Sequence, residues 1–192
     1  MDQPHVFVRP ATTLDAGALG TIQAKNMRTS IEAFTGESLD ESVAALVTAA
    51  SFASAWKSTL AEPVESGVIL SAVSEGVVVG FAAGLIVESQ PNGTDVPKEN
   101  GSEGVRPTTL EITAFEISGP YSRKGHGSRL LAAIADHARE HGVSEIATWI
   151  LADDDARVRF FRSAGLGPAG LRRSLEVGRH ELTEHRWYAK LV

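Results

Sequence analysis

A short segment between residues 121 and 131 combines glycines with basic side chains in a pattern that suits phosphate binding. Its sequence is YSRKGHGSRLL, with Gly125 and Gly127 at its centre. Residues rich in β-formers precede it over 110–117, and apolar residues recur after it at helical spacing, which predicts a strand, a glycine turn and a helix. Glycine has no Cβ and the first helical turn has free N–H groups, so such a turn can bind an anion through its backbone.

The glycine spacing argues against two common nucleotide motifs. The chain has no G-x-x-x-x-G-K-[ST], and G-x-G-x-x-G fails because Leu130 stands where the third glycine belongs. The segment instead resembles the acyl-CoA pyrophosphate loop of the GNAT superfamily of N-acetyltransferases, [QR]-x-x-G-x-[GA]. In this chain Ser122 occupies the first position of that window, and Arg123 follows one place later.

A second segment, residues 154–166, resembles the family motif N-x-x-A-x-x-[FL]-Y-x-x-x-G-F. It follows a predicted strand over 143–151, and the carboxylates at 153–155 suit the start of a helix. Two motif positions match, at Phe160 and Gly165. The departures are Asp154 for Asn, Arg157 for the small residue, Phe161 for Tyr and Leu166 for Phe.

The resemblance implies acetyl-CoA as co-substrate and assigns residues to it. A backbone N–H at the end of the strand before the loop, that of Ile117 or Ser118, would bind the acyl oxygen. The residues expected to contact the cofactor are Ile117, Ser118, Arg123, Lys124, Gly125, His126, Gly127, Ser128, Asp154, Phe161 and Arg162.

Transfer of an acetyl group to an amine also needs a proton acceptor for the amine and, ideally, a proton donor for the thiolate. Glu111 is the candidate base, on the strand where some family members carry a catalytic Glu; the alternative is a solvent-facing strand carboxylate. Glu116 would face the opposite side of a regular strand, and a β-bulge would reverse that. Phe161 has no proton to give, so Tyr188 is the candidate acid, with Ser163, Tyr121 or solvent as alternatives.

The remaining pattern predicts a single domain over residues 1–192. We expect an α/β fold, a GNAT-like mixed, mostly antiparallel sheet with two helices on each face, splayed between its fourth and fifth strands where acyl-CoA enters. Glycine- and proline-rich sequence at 89–109 predicts an exposed loop. A first strand is expected from Val6; the other predicted helices span 13–33 and 39–60, and the other predicted strands 68–73, 77–87, 171–177 and 184–191.

The composition of the chain limits the kinds of partner and cofactor that we expect. The net charge of −6 gives no field that attracts nucleic acid or an anionic membrane. The absence of cysteine excludes disulfides, a thiol nucleophile and Cys-ligated zinc. We expect no metal, since His137 and His141 lie one helical turn apart but outside a recognised metal motif. We also expect a cytoplasmic protein. Whether it forms a homodimer is left open.

The predicted function is acetyl-CoA-dependent N-acetylation of a primary amine, on a small molecule or a peptide, by direct transfer in a ternary complex. Acidic residues in the connection between the first two helices favour a cationic acceptor; these are Glu32, Glu37, Asp40 and Glu41. Two alternatives stay open, a catalytically weak acyl-CoA-binding or regulatory domain and a phosphate-ligand enzyme that uses a nucleotide.

Overall fold

Seven strands form one sheet in the computed structural model, which describes residues 5–89 and 108–191 of the chain. The strands lie in the order β1-β2-β3-β4-β5-β7-β6, and every neighbouring pair is antiparallel except β4 and β5. Their bounds are β1 Val6–Pro10, β2 Gly67–Ser74, β3 Val77–Glu88, β4 Thr108–Ile117, β5 Glu145–Leu151, β6 Gly167–Val177 and β7 His180–Lys190. The mixed, mostly antiparallel α/β fold predicted from the sequence is confirmed.

Five α-helices flank the sheet. They are α1 Ala16–Thr35, α2 Glu41–Leu46, α3 Ala49–Ala61, α4 His126–Glu140 and α5 Asp155–Ser163, and a short 3₁₀ turn precedes α1. The prediction of one helix over 39–60 was wrong. The Thr48 hydroxyl accepts a hydrogen bond from the Ser51 N–H at 3.1 Å and starts α3, so the chain breaks its helix after Leu46.

The helices cover both faces of the sheet. On one face Leu19 and Ile22 of α1 pack against Phe81 of β3, with Trp56 of α3 beside them. On the other face the apolar stripe of α4 packs into the larger core together with Phe161 of α5. The buried residues of that stripe are Leu130, Leu131, Ile134 and Ala138.

The parallel pairing of β4 and β5 is short. It runs from Thr109 opposite Glu145 to Ile112 opposite Thr148, although β4 continues for five residues beyond Ile112. The two strands therefore separate at this point, and the sheet is open where the sequence predicted a splay between its fourth and fifth strands.

A β-bulge lies at the same place in β4. Ala83 of β3 faces Ala114, whereas the next residue, Gly84, faces Ile112, so Thr113 is the extra residue. The side chains on either side of a bulge change their facing pattern. Leu110, Ile112 and Phe115 consequently lie in the core beneath α4, while Glu111 and Glu116 line one and the same cavity on the α1 side.

Of the predicted exposed loop at 89–109, residues 90–107 lie outside the described part of the chain. Within the described part, no helix combines the length and apolar character needed to cross a bilayer.

Candidate active site

The glycine turn and the start of α4 have a backbone geometry that suits an anion. Gly125 takes the left-handed conformation, with φ of +81°, and its carbonyl accepts the N–H of Arg129 at 3.2 Å. The N–H groups of the first turn, at residues 126–128, precede the first α-helical hydrogen bond and are free for a ligand. A side chain at Gly125 would be strained because of the positive φ, which explains why the position is a glycine.

A cavity of about 710 Å³ opens beside this turn, and we call it the loop cavity. It is bounded by α1, by the end of β4 and by α5. The predicted cofactor residues on its lining are Ile117, Arg123, Gly125, Gly127, Ser128, Asp154 and Phe161. Its size and its backbone donors fit a phosphate-bearing cofactor.

Four residues predicted to contact the cofactor do not line the loop cavity. The Lys124 ammonium lies 5.1 Å from the centre of the Tyr121 ring, and the Arg162 guanidinium lies 5.5 Å from the centre of the Trp187 ring. The Ser118 N–H donates to the Val79 carbonyl at 2.8 Å. The fourth residue is His126; like the other three, it does not line the loop cavity.

The His126 side chain points inward, with 3% of its surface exposed. Its ring packs edge-on to Tyr121, and Nδ1 has no hydrogen-bond partner among the described residues. Burial lowers the pKa of His126, and the positive charges of Arg129 and Lys124 lower it further. The prediction of a ligand-facing or exposed side chain was therefore wrong, and the backbone N–H alone faces the anion site.

Ile117 is the better placed of the two predicted oxyanion donors. Alternate residues of an antiparallel strand exchange hydrogen bonds with their partner strand. Because Ser118 bonds to Val79 of β3, the N–H of the preceding residue, Ile117, points away from β3 and toward the open side of the sheet. The Ile117 carbonyl on that side accepts the Asn26 amide at 3.0 Å.

A second cavity, of about 340 Å³, lies on the other side of the splay, and we call it the Glu111 cavity. Glu111 is partly buried in its wall, and its side chain makes no hydrogen bond or ion pair with another described residue. Apolar residues from α1 and from the β6–β7 hairpin line much of the rest. These are Met27, Ile31, Leu175, Val177 and Leu182. The structure thus gives Glu111 the free, cavity-facing carboxylate that a base requires.

The two cavities meet at an ion-pair network that the sequence did not reveal. Arg157 of α5 donates through Nη2 to Glu116 at 2.7 Å, and its Nε lies 3.2 Å from Asp154. Asn26 of α1 donates to the second oxygen of Glu116 at 2.7 Å. Glu116, Asp154 and Arg157 line both cavities. Arg157 replaces the small residue of the family motif, and that departure was the available signal.

Electrostatics hold this network together. Burial by itself would lower the pKa of Arg157, but the charge and hydrogen bond of Glu116 and the charge of Asp154 outweigh it and raise the pKa. Asp154 also caps α5, because its carboxylate accepts the Arg157 N–H at 2.9 Å. The junction therefore ties α1, β4 and α5 together across the opening of the sheet.

None of the predicted proton donors is placed to protonate a thiolate at this junction. Phe161 lines the loop cavity with 1% of its surface exposed. Tyr188 pairs with Ala147 in the closed part of the sheet and lines neither cavity, which contradicts its predicted role as the acid. The Ser163 hydroxyl donates to the Phe160 carbonyl at 2.7 Å, and Tyr121 packs against His126.

The acidic connection after α1 and the histidine pair of α4 both contact other residues of the chain. Glu37, in the acidic connection after α1, forms an ion pair with Arg179 in the β6–β7 turn, and the His180 ring lies 3.9 Å from the same carboxylate. His137 and His141 stack with ring centroids 4.1 Å apart, and within the described residues no group of three metal-ligating side chains includes them.

Comparison with known families identifies the fold and the class. Residues 31–166 match the model of the acetyltransferase (GNAT) family. The chain belongs to this family. It is therefore an acetyltransferase that uses acetyl-CoA. The match includes both motif segments as well as Glu111 and the β4 bulge.

Solved structures agree in fold. The PaiA N-acetyltransferase of Thermoplasma acidophilum, solved in complex with coenzyme A, superposes with a TM-score of 0.68 at 12% identity, over 96% of this chain and 98% of that one. An N-acetyltransferase of Staphylococcus aureus superposes with a TM-score of 0.66 at 16% identity, over 98% of this chain and 99% of that one. The ribosomal-protein-alanine N-acetyltransferase of Brucella melitensis superposes with a TM-score of 0.63 at 21% identity, over 96% of this chain and 99% of that one. Comparison with curated proteins finds no significant match.

Proposed function

We propose that the protein acetylates a primary amine directly, with acetyl-CoA in the loop cavity and the amine in the Glu111 cavity of one ternary complex. One observation carries the proposal: two cavities on opposite sides of the splay share the walls formed by Ser30, Phe115, Glu116, Asp154 and Arg157. Two reactants can approach each other only where their sites meet, and the two cavities meet at this shared wall.

The loop cavity supplies the groups that a CoA thioester needs. The N–H groups of residues 126–128 would bind the pyrophosphate, with Arg123 at the rim of the same cavity. The bound thioester supplies an activated acetyl group. The Ile117 N–H, directed into the opening, would hold the acyl oxygen as negative charge develops on it.

Glu111 would accept the proton of the ammonium, directly or through one water, so that a neutral amine can attack. The C–N bond then forms, the C–S bond breaks, CoA leaves as the thiolate, and the nitrogen releases its second proton to solvent to give the amide. With no cysteine in the chain there is no thiol to form an acyl-enzyme, which favours direct transfer. Ser30 of α1 lines both cavities, so its hydroxyl or solvent would protonate the thiolate.

Steady-state kinetics test the proposal. Initial rates are measured by thiol release while acetyl-CoA and an amine are varied together. Direct transfer predicts intersecting double-reciprocal lines, whereas parallel lines would show a covalent intermediate and contradict it. Calorimetry with acetyl-CoA alone provides the control, since binding to the loop cavity does not require the amine.

A further inference from the structure

We infer that the acceptor is a small amine that carries one positive charge on an apolar body, such as an alkyl- or arylalkylamine. The inference rests on the proposed function and names the substrate class of the Glu111 cavity. It follows from the charges on the cavity wall, from the apolar residues between them and from the way the walls are joined.

The charged groups of the Glu111 cavity pair with one another, with a single exception. Glu116 and Asp154 bind Arg157, and Arg173 contacts Glu184 at 2.6 Å while stacking on Trp149. Glu111 alone has no partner among the described residues. One unpaired carboxylate suits one ammonium group, whereas the second charge of a diamine or polyamine would have to share Glu116, Asp154 or Glu184 with an arginine that already binds it.

The remaining wall is apolar on two sides. Met27 and Ile31 project from α1, and Leu175, Val177 and Leu182 project from the β6–β7 hairpin. Burial of an alkyl or aromatic body against these side chains is favourable, at about 25 cal/mol for each Å² removed from water. A peptide backbone or an amino-acid carboxylate placed against these side chains would lose water, and the side chains offer it no hydrogen bonds.

The size and closure of the cavity favour a small molecule. Its volume of about 340 Å³ lies near the lower end of the usual range for small-molecule sites, roughly 300 to 1,000 Å³. The Glu37–Arg179 ion pair joins the connection after α1 to the β6–β7 turn, and so links the two apolar walls. An exposed pair of this kind contributes little to stability, so the small volume of the cavity is the stronger reason to expect a small acceptor.

The experiment compares kcat/KM for four acceptors at saturating acetyl-CoA: 2-phenylethylamine, spermidine, alanine and a short peptide with a free N-terminal alanine. We expect the arylalkylamine to exceed each of the others at least tenfold. A peptide, spermidine or alanine that equals or exceeds it would overturn the inference and leave the proposed acetyl transfer intact. Binding of acetyl-CoA with no turnover of any amine would instead overturn the proposed function.

A charge variant tests the pairing argument. Arg173→Gln removes the partner of Glu184 and so presents a second free carboxylate to the cavity. The kcat/KM of a diamine relative to a monoamine of equal length should rise about fivefold, the upper range for a partly exposed ion pair. The matched control is Arg172→Gln, since Arg172 is the exposed neighbour outside both cavity walls. An unchanged ratio in Arg173→Gln would overturn the pairing argument.

A second variant tests the apolar wall. Leu175→Ser removes apolar surface from the Glu111 cavity and should raise KM for 2-phenylethylamine about fivefold while leaving acetyl-CoA affinity unchanged. Leu46→Ser is the matched control, because Leu46 is 73% exposed and lies outside both cavities. Equal KM values in the two variants would contradict an apolar acceptor body.

Discussion

The loop cavity and the Glu111 cavity differ in the groups that they present to a ligand. The ligand-binding groups of the first are largely backbone N–H groups, held by one glycine turn and by the end of β4. Those of the second are side chains brought together from α1, β4, β5, α5 and the β6–β7 hairpin. A backbone site can serve one fixed ligand while side chains vary around it. A side-chain site can change its ligand by single substitutions, so the variable partner, the amine, is expected there.

The strongest test of this contrast is a substitution that blocks only the backbone site. Gly125→Val should lower acetyl-CoA affinity at least about 100-fold, because the loss of two hydrogen bonds to a charged group costs roughly 3–6 kcal/mol. Gly142→Val is the matched control: Gly142 also has a positive φ, +68°, at the opposite end of α4. Calorimetry should show lost binding in the first variant and retained binding in the second, and equal affinities would refute the assigned site.

The corresponding test of the side-chain site is Glu111→Gln. The amide keeps the size of the side chain but cannot accept the proton, so kcat should fall roughly 100-fold or more. Acetyl-CoA affinity should stay within about twofold, since Glu111 lies outside the loop cavity. If kcat stays near the wild-type value, Glu111 is structural and the proton goes elsewhere.

The junction belongs to both cavities, and its removal should cost stability. Arg157→Ala leaves the partly buried carboxylates of Glu116 and Asp154 without their cation, and we expect a loss of about 1–3 kcal/mol in the free energy of unfolding. Arg159→Ala is the control on the same helix, where a 3.8 Å pair is largely exposed and the expected loss is below about 0.5 kcal/mol. Urea denaturation compares the two, and similar losses would mean that the network does not hold the cavities together.

A smaller effect is expected at Phe161, where the family motif has a Tyr. Phe161→Tyr places a hydroxyl on the wall of the loop cavity, and turnover should be equal or up to a few-fold faster if the hydroxyl reaches the thiolate. The measurement is kcat at saturating acetyl-CoA. A large loss of kcat in a folded variant with normal cofactor affinity would place Phe161 against the acceptor.

The smallest effect concerns the inward side of the glycine turn. The pKa of His126 is lowered from its ordinary value of 6.5, so the folded state favours the neutral ring. Its contribution to stability is complete above that value and decreases as the pH falls toward the lowered pKa. Between about pH 7 and pH 5, the free energy of unfolding should therefore fall less steeply in His126→Gln than in the wild type. Identical slopes would contradict the assignment.

The sequence predicted the parts of the site that depend on local pattern. The glycine turn and the order of strand and helix around it follow from spacing within single segments, whereas the splay between the fourth and fifth strands was expected from the resemblance to the family. The positions of the Lys124 and Arg162 side chains could not be predicted from local sequence. Each cation stacks on an aromatic ring whose position depends on the fold. The break between α2 and α3 had a local signal in the Thr48 cap, and the prediction of one helix overlooked it.

The junction required information that no single segment contains. Arg157 and Glu116 are 41 positions apart, and their contact depends on the bulge at Thr113. That bulge arises from the pairing of β4 with β3, so the sequence of β4 alone allowed either facing for Glu116. The two possible orientations of the Glu116 side chain predict different active sites. Only the pairing of β4 with β3 decides between them.

The extra residue at Thr113 is also the reason why both carboxylates of β4 face the same cavity. If Thr113 stayed in the chain and paired regularly with β3, inside and outside would be exchanged along the rest of the strand. Phe115 would leave the core, and Glu116 would turn away from Arg157. The loss of one residue here would instead remove the bulge and keep both facings, so the strand tolerates a shorter length but not a second extra residue. We expect homologues that keep the junction to have either this bulge or a regular strand that is one residue shorter.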